Sequence, residues 1–258
     1  MDEPRRSAFV TGGSAGIGLA IVRALAADGF TVTAVARDAD RLATAIAGLD
    51  SVIGHPADAA DPGALRAAVD AHVARNGGLD LAVANAGTGA AGRAAATSTD
   101  ALDTMVRLNV TAAFGLAAAA VPHLRRTLRG AGGAGADAIA TLAASPAADA
   151  PGWFVVVASL SGVWPTPGFA GYSATKAAAV SLARSIAAEE TAAGVRSCAI
   201  CPAFVDTDMA AWVRDRIDGP LLDADDVAEA VRFLTRLSPA ASVTELVLRR
   251  AGAAPTEP

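Results

Sequence analysis

Across its 258 residues the chain holds one lysine, one tyrosine, three asparagines and no glutamine, against twenty arginines. Arginine serves wherever a generic surface cation is wanted. A lone lysine therefore marks a place for a compact ammonium, whose geometry a planar guanidinium does not reproduce. That lysine, Lys176, stands four residues after the lone tyrosine, Tyr172, and on a helix this spacing stacks both side chains on one face.

Other shortages exclude whole classes of function. The formal charge is −5 with a pI near 5.2, so the basic excess that attracts nucleic acid or anionic lipid is missing. Small molecules are the expected partners. Apolar residues make up 53% of the chain, but much of this is alanine, and no run of about 18 strongly apolar residues reads as a bilayer span. The first residues carry no apolar leader core, which makes the cytoplasm the expected location. The two cysteines, Cys198 and Cys201, fall within a segment, Val195 to Pro202, that reads as a buried strand. Positions three apart on a strand face opposite sides, which leaves inert core thiols rather than a disulfide or shared metal site. His55, His72 and His123 have no ligand-like spacing; all three are read as surface or loop residues, and no metal is expected.

What is present alternates. Ala8 to Thr11, Thr31 to Ala36, Val52 to His55, Leu79 to Ala84, Trp153 to Ser159, Arg196 to Cys201 and Glu245 to Leu248 are short, continuously apolar runs, the pattern of parallel strands covered on both faces. Between them, Gly18 to Ala27, Arg41 to Ala47, Pro62 to Arg75, Asp100 to Leu128, Ser173 to Ala193 and Asp225 to Leu237 have helical spacing. The alternation predicts one α/β domain over 1–258: a Rossmann-type, doubly wound, seven-stranded parallel sheet with helices on both faces. Gly130 to Pro151, almost wholly Ala, Gly, Ser, Asp and Pro, interrupts the rhythm and is expected to be a flexible insertion.

The run Thr11-Gly-Gly-Ser-Ala-Gly-Ile-Gly18 leads from the first strand straight into a helix. Its glycines at 12, 16 and 18 are spaced Gly-x3-Gly-x-Gly. That differs from the common dinucleotide fingerprint but meets the same need, letting a phosphate approach backbone N–H groups at a positive helix end without a Cβ in the way. Val35-Ala36-Arg37-Asp38 follows the second strand. NAD enzymes of this architecture place a carboxylate there for the ribose 2′-OH, whereas an arginine can pair with a 2′-phosphate. With Ala36 at the acid position and Arg37 next, NADP(H) is the expected coenzyme and NAD(H) the second choice.

With these motifs in this order, the chain resembles the single-domain short-chain dehydrogenase/reductase family over nearly its whole length. The resemblance makes Gly12, Ser14, Gly16, Ile17 and Gly18 the coenzyme loop, Asp58 the adenine contact, and Asn85 and Gly87 part of a segment bracing the central sheet beside the coenzyme. It makes Val205 and Thr207 part of the nicotinamide-carboxamide loop. It also makes Asn109, Ser159, Tyr172 and Lys176 a catalytic tetrad, the Ser-x12-Tyr-x3-Lys spacing being its most specific part. The family pattern is broken at Ala84, Ala158 and Ala203, none of which carries a side chain assigned to chemistry.

The chemistry agrees with that assignment. A free phenol has a pKa near 10, too high for an efficient base at neutral pH, so a catalytic tyrosine needs a neighbouring cation, and Lys176 is the one at the right spacing. The resemblance implies that Lys176 and Tyr172 also touch the coenzyme, that Ser159 bonds the substrate oxygen, and that Asn109 holds a water for proton relay. The expected reaction moves a hydride between NADP(H) and a small, largely apolar carbonyl compound or secondary alcohol, with Tyr172 as acid in reduction and base in oxidation. A coenzyme-binding sensor without turnover is the alternative. Phe204 to Asp223, with Met209, Trp212, Val213, Ile217 and Leu221 at roughly helical spacing, is expected to be a substrate lid facing Trp164 and Phe169, with Arg214 and Arg216 available to an acidic group. The resemblance further implies a homodimer or homotetramer built on the helices of 100–128 and 173–193.

Overall fold

The computed structural model describes residues 6–125, 151–214 and 216–253. Seven strands form one parallel sheet in the order β3-β2-β1-β4-β5-β6-β7: β1 Ser7–Thr11, β2 Thr31–Ala36, β3 Val52–Pro56, β4 Leu81–Ala84, β5 Gly152–Val157, β6 Val195–Pro202 and β7 Glu245–Leu248. The chain starts in the middle, winds out to β3, crosses back over β1 to β4 and continues to β7. Where the winding reverses, the connections leaving β1 and β4 part to opposite faces and open a crevice at the C-terminal strand ends, the usual ligand position in this architecture.

Among the described residues, seven α-helices cover the sheet: α1 Gly16–Ala27, α2 Ala39–Ala45, α3 Pro62–Asn76, α4 Thr99–Met105, α5 Ala112–Leu124, α6 Ala170–Glu190 and α7 Ala224–Thr235. One core layer joins Leu65 and Val69 of α3, Leu116 of α5 and Val180 of α6 to Phe9 and Phe154 of the sheet. The other joins Ile21 of α1, Leu42 of α2 and Val231 of α7 to Val10 and Val155. Cys201 lies in the first layer and Cys198 in the second, as expected of positions three apart on a strand.

Caps account for the helix starts. Asp61 accepts from Gly63 N and Ala64 N with Pro62 in the first turn. Asp38 accepts from Arg41 N at 2.9 Å, so α2 begins at Ala39, two residues before the apolar pattern suggested. The segment expected as one helix over Asp100 to Leu128 is helical from Thr99 but slips register through a π turn, Val106–Thr111. Against expectation, Thr99–Leu124 is by length and composition a possible membrane span; half of its most apolar stretch, however, is buried inside the fold. Residues 126–128 and the proposed insertion, apart from Pro151, lie outside the described residues.

His72 is no surface residue. It is buried on α3, edge-on to Phe9, with Nδ1 2.8 Å from Thr33 Oγ1 and 3.2 Å from Asn76 Nδ2. Its Nε2 is buried without a partner. Burial, helped by the charges of Arg75 and His123, pushes its pKa down to about 4.

Candidate active site

A cavity of about 430 Å³ opens at the C-terminal ends of the central strands, and its wall runs from the glycine turn to the segment after β6. At one end the turn after β1 brings Gly12, Gly16, Ile17 and Gly18 to the wall. Gly12 (φ 70°) and Gly16 (φ 49°) are left-handed, a conformation that costs glycine least. At Gly18 a Cβ would lie 2.1 Å from the Gly12 carbonyl oxygen and 2.4 Å from Asn85 Nδ2. Asn85 Nδ2 donates to Thr11 O at 2.9 Å, while Thr11 Oγ1 accepts from the backbone N–H groups of Asn85 and Ala86, tying the turn to the end of β4. The N-cap position of α1 is Ala15, which offers no side-chain cap. Its first-turn N–H groups thus remain donors at the positive end of a helix, which suits a phosphate.

Several expected coenzyme residues stand elsewhere. Ser14 and Asp58 are off the wall, and the Asp58 carboxylate accepts from Ala60 N at 3.0 Å. Arg37 is exposed beyond β2 and also off the wall. Arg41, one helical turn further on, is on it, 3.2 Å from Asp208 across the cavity mouth. The sequence reading missed Arg41; its signal was an arginine in the first turn after the Asp38 cap.

In the middle of the cavity Ser159 stands two residues past the end of β5, and α6 presents Tyr172 and Lys176 one turn apart. Gly162 sits so close to α6 that a Cβ would lie 2.7 Å from the Lys176 carbonyl. This close approach sets the Ser159 turn against the helix. Lys176 Nζ donates to Val157 O at 2.9 Å and lies 5.8 Å from the Tyr172 ring centre. Burial lowers the Lys176 pKa to about 8. For Tyr172, burial raises the phenol above its ordinary value, and a hydrogen bond with Ser159 pulls the other way. Burial is thus the larger influence on the phenol here, with the Lys176 ammonium seated on a backbone carbonyl nearby. Beneath Lys176, burial pushes the Cys201 thiol up to about 12, which keeps it protonated and inert.

Asn109 lies in the π turn, off the cavity wall. Its Nδ2 donates to Thr88 O and Thr175 Oγ1, and its Oδ1 accepts from Thr88 N, at 2.8–2.9 Å. With both amide hydrogens committed, the side chain braces the loop after β4 against α6. Gly87, on the wall, packs against that brace: a Cβ there would lie 3.1 Å from Asn109 Oδ1 and 3.5 Å from Lys176 Nζ.

The far end is aromatic. Val205 and Thr207 are on the wall together with Phe204, Met209, Trp212 and Phe169. Among the described residues of the expected lid segment, Asp208–Val213 is helical, as a 3-10 turn, and Leu222 pairs back on Val205. Trp164 is off the wall, contrary to expectation. Arg214 is paired with Asp206, and Arg216 lies over the Trp212 ring at 5.7 Å. Among the described residues no cluster of His, Cys, Asp and Glu is arranged to hold a metal.

The short chain dehydrogenase family model matches residues 6–134 and 137–218. The 2-(R)-hydroxypropyl-CoM dehydrogenase of Xanthobacter autotrophicus is 32% identical over 251 residues, covering 89% of this chain and 90% of that protein. The 4-formylbenzenesulfonate dehydrogenase of Comamonas testosteroni is 33% identical over 253 residues, covering 91% and 92%. Among solved structures, the alcohol dehydrogenase of the archaeon Thermococcus sibiricus complexed with 5-hydroxy-NADP superimposes with a TM-score of 0.80 at 29% identity, over 97% of this chain and 99% of that one. The 3-ketoacyl-(acyl-carrier-protein) reductase of Brucella melitensis complexed with NADH reaches 0.82 at 26% identity, over 96% and 97%.

Proposed function

The chain belongs to the short-chain dehydrogenase family, whose relatives here are oxidoreductases, and on that premise we propose that it transfers a hydride between NADP(H) and the carbonyl or secondary alcohol of a small, largely apolar substrate. One observation carries the reading: Ser159, Tyr172 and Lys176 line the same cavity as the glycine turn and the uncapped start of α1.

The residues fit a dinucleotide. The N–H groups at the start of α1 would hold the pyrophosphate, and the Gly12, Gly16 and Gly18 backbone leaves it room. Ala36 offers no carboxylate to the adenine ribose, while Arg37 and Arg41 supply guanidinium groups near the end of β2, the chemistry a 2′-phosphate needs. Bound there, the nicotinamide supplies the hydride in reduction and accepts it in oxidation.

The protein's own residues handle the proton. Ser159 donates a hydrogen bond to the substrate oxygen, and Tyr172, whose phenol burial holds above its ordinary value, gives that oxygen its proton as reduction proceeds. Lys176, mostly protonated below about 8, supports the phenolate left behind and reaches toward the nicotinamide ribose. The segment 204–223 closes over the substrate. Self-association as a homodimer or homotetramer through the helical segments 100–128 and 173–193 belongs to the same reading, supported in the first by exposed Leu102, Val106 and Phe114.

The test is Tyr172→Phe, which keeps the ring and deletes the proton donor. Carbonyl reduction with NADPH should fall by roughly 100-fold to 10,000-fold while NADPH affinity, read by fluorescence titration, stays within about twofold. Near-normal turnover in the variant rejects Tyr172 as the acid.

A further inference from the structure

We propose that the carbonyl compound this cavity takes is a neutral aryl ketone, its ring laid against Phe169 and Trp212, an inference that rests on the oxidoreductase reading above and narrows its substrate class. A ladder of rings leads outward from the reacting phenol. Phe169 meets Tyr172 edge-on at 6.5 Å, Trp212 stacks on Phe169 at 5.4 Å and 27°, and Phe204 closes the ladder edge-on to Trp212 at 6.0 Å. Beside the phenol, Gly89 packs on the Tyr172 ring, where a Cβ would lie 3.3 Å away, so bare backbone rather than a side chain bounds the slot there. Met209 and Trp212 line this slot yet remain 51% and 43% exposed. Large apolar side chains left open at a cavity mouth gain most from an apolar occupant that covers them, and a ring on Trp212 adds stacking that an alkyl chain does not.

Charge decides between neutral and anionic aryl compounds. Among the described residues of the wall the cations are Lys176 and Arg41. Lys176 is held on Val157 O beside the phenol, and Arg41 is at the coenzyme end on Asp208. Arg214 is paired with Asp206, and Arg216 lies off the wall over the outer ring. A carboxylate or sulfonate seated deep in the slot, inside the reach of Arg216 at its outer edge, would lose its water with no free cation on the wall to meet it, which is costly.

The experiment measures kcat/KM with NADPH for acetophenone, 2-butanone and 4-acetylbenzenesulfonate, using the parent, Trp212→Ala and Trp212→Phe. The parent should prefer acetophenone to each of the others by about 10-fold or more. Trp212→Ala should shrink the acetophenone-to-2-butanone ratio by about 10-fold, chiefly through KM for the aryl ketone, and Trp212→Phe should restore most of it. A parent that prefers 2-butanone, or a ratio untouched by Trp212→Ala, overturns the aryl assignment. Sulfonate turnover equal to that of acetophenone overturns its neutral character and points to Arg216 as the anion's partner. No turnover of any ketone, with NADPH still bound, overturns the oxidoreductase reading and this inference with it, a result distinct from the other three.

Discussion

At the glycine turn, backbone meets backbone: a methyl added to Gly18 would lie 2.1 Å from the Gly12 carbonyl, and Asn85 stitches that turn to β4. At the other end of the same cavity the 3-10 turn Asp208–Val213 leaves Met209 and Trp212 half in solvent, and its neighbouring charges are paired at the surface. One end offers main-chain N–H groups, which side-chain substitution cannot move without disturbing the sheet. The other offers side-chain surface, which can change while the fold stays. A shared coenzyme and a particular substrate place just these different demands on one cavity.

The sharpest way to break that comparison is Gly18→Ala. If the turn is as tight as its geometry, one methyl should cost about 3 kcal/mol of stability, the upper range for overpacking, and coenzyme affinity should fall with it. Urea unfolding with and without NADPH measures both. An unchanged midpoint would place the two ends under the same rules.

His72 tests the same half of the molecule from beneath the sheet. Its pKa is about 4 in the folded chain against 6.5 ordinarily, so as pH falls the unfolded chain takes up a proton first. The stability its neutral form contributes is fully present above pH 6.5 and is lost as pH falls toward 4, by about 3 kcal/mol in all. Unfolding midpoints measured between pH 7 and pH 4 should show this loss in the parent and a flatter profile in His72→Gln. An equal slope in both would assign the acid sensitivity to other groups.

The smallest effects should come from the two arginines beside β2. Arg37→Ala should weaken NADPH by roughly 10-fold to 150-fold while leaving NADH nearly unchanged, the range of a lost charge-assisted pair. Arg41→Ala should cost about 10-fold, toward the lower end, because Arg41 is exposed and already shared with Asp208. A larger loss at Arg41 would mean that the cavity wall, rather than the end of β2, reads the phosphate. Equal weakening of both coenzymes in both variants would withdraw the NADP assignment.

How much of this was legible depended on the range of the forces involved. The strands were, because parallel strands buried on both faces must be continuously apolar, and β7 runs from Glu245 to Leu248 just as its pattern suggested. The start of α2 was missed because a single Asp38 side chain set it, outweighing the apolar spacing. The π turn was not legible at all. Nothing in Val106–Thr111 marks a register slip; it appears together with Asn109's bonds to Thr88 and Thr175, made across 21 and 66 residues of chain. His72 resembled any polar helix residue until Thr33 and Phe9 closed over it. Trp164 was given to the substrate wall by its place in sequence, but the turn after Ser159 carries it away from the cavity.

The sequence by itself determined the alternation, the glycine turn and the pairing of the lone tyrosine with the lone lysine, since each depends on local stereochemistry or on spacing along one element. Only the tertiary structure decided which arginine reaches the cavity, what Asn109 holds, how burial splits the Tyr172 and Lys176 pKa values, and that three rings line up beside the phenol. These depend on desolvation and on contacts between distant segments, and neither exists until the sheet has closed its two cores.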